Sequence, residues 1–473
     1  MNTNRGETRA KIEEWFERHA DEMIDDLGAL IAVNSVRGAV EDGAPYGAGP
    51  RDALSLAGSM LERRGCSVSG FEDIVITADI GPSPPLMGIL AHVDVVGVGD
   101  GWDTDPFTLT QKDGKLFGRG AIDDKGPLIA AMYAMYCAHE LCPDFSNGFQ
   151  ILIGSGEELG CIDVARYLEK NTPPPNVFTP DSAYPVVNTE KGRITPFFKA
   201  SWEKDVSLPR VVSIVGGKTT NIVPDRAEAV VEGINVDQVE GYCREYSGKT
   251  GAHMSARGEG GQVVITAEGV STHAATPSAG LNAQTALLEM LAAMPFAKSA
   301  SYGYISALNR LFPHGDVNGR ALGIEMRDEL SGELTVNFGV LNYTDIDFSA
   351  NFDSRTPACA DDVDLPGLIR AAFDREGISM TYPELMRCHH TPEDSLFVQT
   401  LLRIYEEYTG NDRGCLAVGG ITYVHDIPGG VAFGCALPGI DNMAHGANEF
   451  IGIDQLMISA KMFAQVIIDM CGA

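Results

Sequence analysis

The sequence predicts an α/β protein: a discontinuous domain with a mostly parallel sheet flanked by helices, interrupted by an inserted α+β domain. Three observations carry that reading. Helical and buried-strand patterns alternate over residues 1–192, as in parallel sheets with helices on both faces. Between about Arg193 and Glu384 strand-like stretches dominate instead. From residue 385 onward the helix–strand–helix alternation returns, so 1–192 and 385–473 read as one domain and 193–384 as a second. A chain of 473 residues also exceeds what one hydrophobic core usually supports.

Taken in order, the first element is a helix from about Glu7 to Ala32, with apolar residues at helical spacing. LMGILAHVDVV (86–96) is an apolar run suited to a buried strand, a helix follows from about Lys125 to Glu140, and FQILIGSG (149–156) is a second buried strand. In the insertion, RVVSIVGG, AEAVVEGINV, QVVITAEGV, ELTVNFGVLNYT and IDFSANFDS read as strands, and AQTALLEMLAAM and DLPGLIRAAFDREG as helices. After it come the amphipathic helix SLFVQTLLRIYEEYTG, the buried strand GVAFGCALPG, and a last helix, IDQLMISAKMFAQVIIDM, with Asp454 as its N-cap.

Composition narrows the function classes. A formal charge of −30 argues against nucleic acid and anionic membrane surfaces as partners. No apolar run approaches the roughly 18 residues of a membrane span. The first residues, MNTNRGETRAKIEEWFERHADEMI, are charged and helical, without an apolar leader core, and read as mature protein. The ten cysteines form no CxxC pair. They read as reduced thiols, and the expected compartment is the cytoplasm.

Acidic and imidazole side chains cluster where the strands end. In HVDVV, His92 and Asp94 are two apart on one strand and so face the same side. The imidazole can hold a metal while the carboxylate takes its second ring N–H. By itself H-x-D is a weak signal. GRGAIDDKG (118–126) puts Asp123 and Asp124 at a turn into a helix, where acidic residues also simply suit the helix dipole. GSGEELG (154–160) places Glu157 and Glu158 just past an apolar strand: a solvated acidic loop, or a pair that needs a cation or a shared proton. TPDSAYP supplies Asp181 and NMAHGANEF supplies His445. Together they sit at the carboxyl ends of successive strands, where open α/β sheets build their sites. Carboxylates with two imidazoles suit two divalent ions: zinc first, manganese or cobalt otherwise.

These segments, in this order and spacing, resemble the metallopeptidase family that includes carboxypeptidase G, aminoacylases and carnosinases, and within it the peptidase V-type dipeptidases. TEKG (189–192), TTNIVPDRAEA, STHAATPSAGLNA and GGITYVHDIPGGVAFGCALPG extend the likeness over nearly the whole chain. The resemblance implies that Asp123 bridges both metals, His92 and Asp181 complete one, and Glu158 and His445 the other. Asp94 would orient His92, and the Asp123–Asp124 peptide would be cis. Glu157 would act as general base and then acid towards a metal-bridging hydroxide that hydrolyses dipeptides. The insertion would be a lid whose His273 and Asn221 hydrogen-bond the scissile carbonyl oxygen. Arg355 would grip the substrate carboxylate, with backbone donors of the GGITY loop beside it. From the residues alone, His273 reads as a structural loop residue, and an exposed ion pair is the alternative for Arg355.

His425 reads as a pocket-rim residue, and His389 with His390 as a surface pair. The nearest rival is an amidohydrolase of the same family that deacylates N-acyl amino acids; the long lid and the GGITY and GGVAFG segments argue against it. A non-catalytic binding protein is the rival from another class, and no ligand or base is lost here. A lid that supplies its own His273 makes a monomer the expectation.

Overall fold

The computed structural model describes residues 2–381 and 384–472. The chain divides into two compact units: residues 1–189, 390–416 and 421–473, and residues 190–389 with 417–420. The sequence reading put the junctions at 192 and 384 and left 417–420 with the outer segments. Those four residues join the second unit because Val418 accepts the Lys191 N–H (2.9 Å) and Gly419 accepts from Arg355 Nη1 (2.6 Å).

In the first unit the strands run Val68–Phe71, Val75–Ile80, Gly148–Gly154, Pro85–His92, Asn176–Thr179, Val431–Ala432 and Val186–Glu190 across the sheet. From Gly148–Gly154 to Val431–Ala432 all pairs are parallel; the flanking pairs are antiparallel. Side chains alternate between two cores, as the two-residue strand period requires. Ile89, Ile151, Ile153 and Phe178 meet the helices Asn2–Ile31, Lys125–Leu141, Leu396–Thr409 and Ile453–Cys471. Leu90, Leu152 and Val177 meet Val164, Tyr167, Tyr423 and Val424 on the other face. Lys125–Leu141 is buried on every side as far as Ala138, which explains its nearly unbroken apolar sequence.

Three local expectations change. The strand predicted over 86–96 ends at His92, and Asp94 lies beyond the sheet. GVAFGCALPG holds two short strands, Val431–Ala432 and Cys435–Ala436, broken at Gly434. That residue has φ +89° and lies against the Tyr184 ring, which leaves no room for a side chain. The last helix is capped at Gly452, whose N–H is accepted by the Gln455 side chain (3.2 Å), while Asp454 sits in the first turn.

The second unit is an antiparallel sheet in the order His253–Glu259, Gln262–Glu268, Arg226–Glu232, Arg210–Gly216, Thr335–Tyr343, Asp347–Thr356, Phe197–Ser201, Ser379–Met380. Helices Val236–Thr250, Ala283–Ala293, Ala300–Leu311 and Leu365–Arg375 share its core. Val236–Thr250 escapes a hydropathy reading because it buries only Val239, Cys243, Tyr246 and Thr250. All ten cysteines are free. No described helix is long and apolar enough to cross a membrane.

Candidate metal centre

Parallel register places the ends of three strands side by side: His92 opposite Gly154, and Ile89 opposite Phe178, one residue before Thr179. The chain leaving each end carries the acidic residues, so Asp94, Glu157, Glu158 and Asp181 meet by topology. Asp123 and His445 arrive on loops. The Asp123–Asp124 peptide is cis, as the resemblance implies.

His92 Nε2 lies 3.2 Å from Asp123 Oδ1 and 3.5 Å from Asp181 Oδ2. His445 Nε2 lies 2.8 Å from Asp123 Oδ2 and 3.4 Å from Glu158 Oε1. Two donor groups result, His92–Asp123–Asp181 and Asp123–Glu158–His445, each with its ligand atoms within 4.8 Å of one another. Asp123 belongs to both and turns a different oxygen to each.

Charge and solvation fit a cationic occupant. His92 Nε2 and Glu158 Oε1 are buried without a hydrogen-bond partner. Burial, and then the anion of Asp123, push Glu158 up to about 7. Burial likewise holds Glu157 well above the carboxylate range, with Asp181, Glu158 and Asp123 adding to it against the pull of His92. Burial would lower the His92 imidazole, yet Asp123, Asp181 and Asp94 together hold it well above its ordinary value. Carboxylates crowded out of water in this way are relieved by a bound cation.

Asp94 meets the His92 ring and also holds the turn beyond the neighbouring strand. Because the chain has left the sheet after His92, the Asp94 carbonyl meets His92 Nδ1 at 3.0 Å, and the carboxylate stands off at 3.5 Å. That carboxylate also accepts the N–H groups of Glu157 (3.2 Å) and Glu158 (3.1 Å), fixing the short 3-10 turn that carries both.

Asp163 is a support that no spacing announces. Fully buried, it accepts the N–H groups of Ser155 (2.6 Å) and Gly156 (2.8 Å) and the Tyr423 hydroxyl (2.7 Å). A side chain at Gly154 would strike Tyr423 and Asp163, which accounts for that glycine. Asp163→Ala strands these donors, and the expected loss of unfolding free energy is about 3 kcal/mol. Unchanged denaturant midpoints would contradict that.

In the second unit the structure brings His273 and Asn221 onto neighbouring segments: Ile222 pairs with His273, and the Asn221 carbonyl accepts the Ala274 N–H (2.8 Å). Asn337, missed from sequence, clamps the Asn221 turn by donating to Thr220 O and Ile222 O, both at 3.0 Å. His273 is exposed, and its Nδ1 accepts the Ala275 N–H (3.2 Å). Arg355 is neither exposed nor loosely paired. It is 3% exposed, with Nε and Nη2 on the two oxygens of Asp353 at 2.7 and 3.2 Å. The GGITY loop meets it through Gly419 O, which accepts from Nη1 (2.6 Å).

His425 is buried in the turn Tyr423–Asp426 instead of lying at a rim, because Tyr423, Val424 and Ile427 draw that turn into the smaller core. His389 is buried as well, and only His390 is exposed.

The description Peptidase family M20/M25/M40 matches residues 88–469. "Putative dipeptidase YtjP" of Bacillus subtilis is 31% identical over 458 residues, which cover 96% of this chain and 98% of that one. The similarly described SH1171 of Staphylococcus haemolyticus is 30% identical over 468 residues, 97% and 99% of the two chains. Among solved structures, human carnosine dipeptidase 1 shares the fold at TM-score 0.57 and 15% identity, over 98% of each chain. The M20 family metallo-carboxypeptidase Sso-CP2 from Sulfolobus solfataricus does so at TM-score 0.58 and 15% identity, over 94% of this chain and 98% of that one. The chain belongs to the peptidase family M20/M25/M40.

Proposed function

We propose that this protein is a metal-dependent dipeptidase. The observation that carries the reading is the shared Asp123, which sets two donor groups side by side and leaves Glu157 outside both. His92, Asp123 and Asp181 would hold one divalent ion, and Asp123, Glu158 and His445 the other, with zinc preferred over manganese or cobalt. Ions held there would polarise the scissile carbonyl and acidify the attacking water. Glu157 takes the proton from that water and returns it to the leaving amine. Asp94 holds the Glu157 main chain in place for both transfers.

The second unit serves as the lid. With Nδ1 of His273 accepting the Ala275 N–H, a neutral ring carries its proton on Nε2, the tautomer that donates to an oxyanion. His273 with Asn221 is assigned to the scissile carbonyl oxygen. His273→Ala is then expected to lower kcat by about 10²–10³, with zinc stoichiometry unchanged and KM little moved. Full activity would return His273 to a purely structural loop role, and lost zinc would make it a ligand.

Arg355, aimed by Asp353, is assigned to the substrate's C-terminal carboxylate. Arg355→Lys replaces a fork by a point charge and is expected to raise KM about tenfold. Amidated dipeptides should be poor substrates for the parent enzyme; equal rates on amidated and free-acid dipeptides would defeat the assignment. Free thiols throughout agree with a cytoplasmic enzyme, and we take it to act as a monomer.

The test of the whole reading is a panel of dipeptides and N-acyl amino acids assayed with zinc, manganese and cobalt. Hydrolysis should require a free α-amine. Turnover confined to N-acyl amino acids would overturn it.

A further inference from the structure

Glu449 and Arg119 form a charge pair at 2.5 Å, with Arg119 1% exposed and Glu449 fully buried. Their other contacts all go to loops of the site. Glu449 Oε1 accepts the N–H groups of Ile122 (2.9 Å) and Asp123 (3.2 Å), and Oε2 that of Gly120 (3.1 Å). Arg119 Nη2 donates to the carbonyls of His445 (3.3 Å), Gly446 (3.1 Å) and Gly97 (3.2 Å). One pair thus spans the turn that carries Asp123, the loop that carries His445, and the loop leaving the strand that ends at His92. The His445 loop needs such a hold. Met443, His445 and Asn448 all take left-handed φ values, +59°, +62° and +60°, a conformation that persists only where its surroundings over-determine it.

We propose that Glu449 and Arg119 are positioning residues that fix Asp123 and His445 relative to each other, so that a single buried charge pair sets the geometry of both cation subsites. The proposal rests on reading Asp123 and His445 as ligands. A buried pair of this kind is weak as a source of net stability, since desolvation offsets its attraction. Its directed hydrogen bonds to two ligand loops are a different matter, because outer partners orient the ligands themselves.

The test titrates metal-free, full-length protein with zinc alone against a chromophoric chelator, and follows thermal unfolding of the same samples. Glu449→Gln is expected to bind at least one equivalent of zinc about 10–100-fold more weakly than the parent. Parental affinity for both equivalents would overturn the proposal. The double variant Arg119→Met, Glu449→Leu removes both charges and separates positioning from charge neutralisation. It should regain thermal stability and still bind zinc weakly; recovery of parental affinity would overturn positioning. Should Glu449→Gln not fold, Arg119→Lys is read in its place, with affinity about tenfold lower supporting the proposal and parental affinity defeating it. His445→Ala, run beside these, tells the two readings apart. Undiminished zinc binding there means that the ligand assignment has failed. Weakened binding there, with Glu449→Gln unaffected, means that only the positioning role has.

Discussion

Glu157→Gln is expected to hydrolyse dipeptides roughly 10²–10⁴-fold more slowly than the parent, the usual scale for loss of a general acid–base. Two equivalents of zinc should remain bound and the fold should be unchanged. The substitution keeps the shape of the side chain and removes its ability to carry a proton. The main chain at this position is held from outside, since the Asp94 carboxylate accepts the Glu157 N–H whatever the side chain is. Glu157 also stands outside both donor groups, so its loss leaves every assigned ligand in place. Zinc analysis with steady-state rates on one dipeptide decides the matter: near-normal turnover removes Glu157 from the mechanism, and lost zinc makes it a ligand.

Asp123→Ala should abolish turnover by a different route, losing at least one equivalent of zinc and lowering the thermal midpoint. Asp123 is the anion between His92 Nε2 and His445 Nε2, at 3.2 and 2.8 Å. Without it each group retains one carboxylate and one imidazole, fewer ligands than a stable zinc site uses. Glu158 and Asp181 then face one another across the centre with less positive charge between them. Dialysed protein can be assayed for zinc directly. If two equivalents are still held tightly, Asp123 does not bridge.

Much of the fold could be read from sequence because the outer segments obey simple periods. The apolar runs ending at His92 and Gly154 are buried strands, and the helix at 125–141 is buried on every side as far as Ala138. The acidic residues beyond those ends were legible for the same reason, since parallel register brings strand ends together whatever their sequence separation. What stayed hidden depends on backbone groups. Asp163, Glu449 and Arg119 work by hydrogen-bonding main-chain atoms distant in sequence, and no side-chain spacing encodes that. The hold of Asp94 on the Glu157 and Glu158 N–H groups is of the same kind. The membership of 417–420 was hidden likewise, since four residues bound by Lys191 and Arg355 carry no composition signal.

The interruption of the first unit by residues 190–389 has a consequence for how the protein is made. On the ribosome, all of the inserted unit is synthesised before Val431–Ala432 and Ile453–Cys471, the strand and helix that close the core of the first. Domains fold as units, earliest first, during synthesis. The insertion therefore gains its structure while the surrounding unit still lacks its closing strand and helix, and before His445 is translated. Of the two donor groups, His92–Asp123–Asp181 is already translated by then, and only Asp123–Glu158–His445 is completed after the insertion.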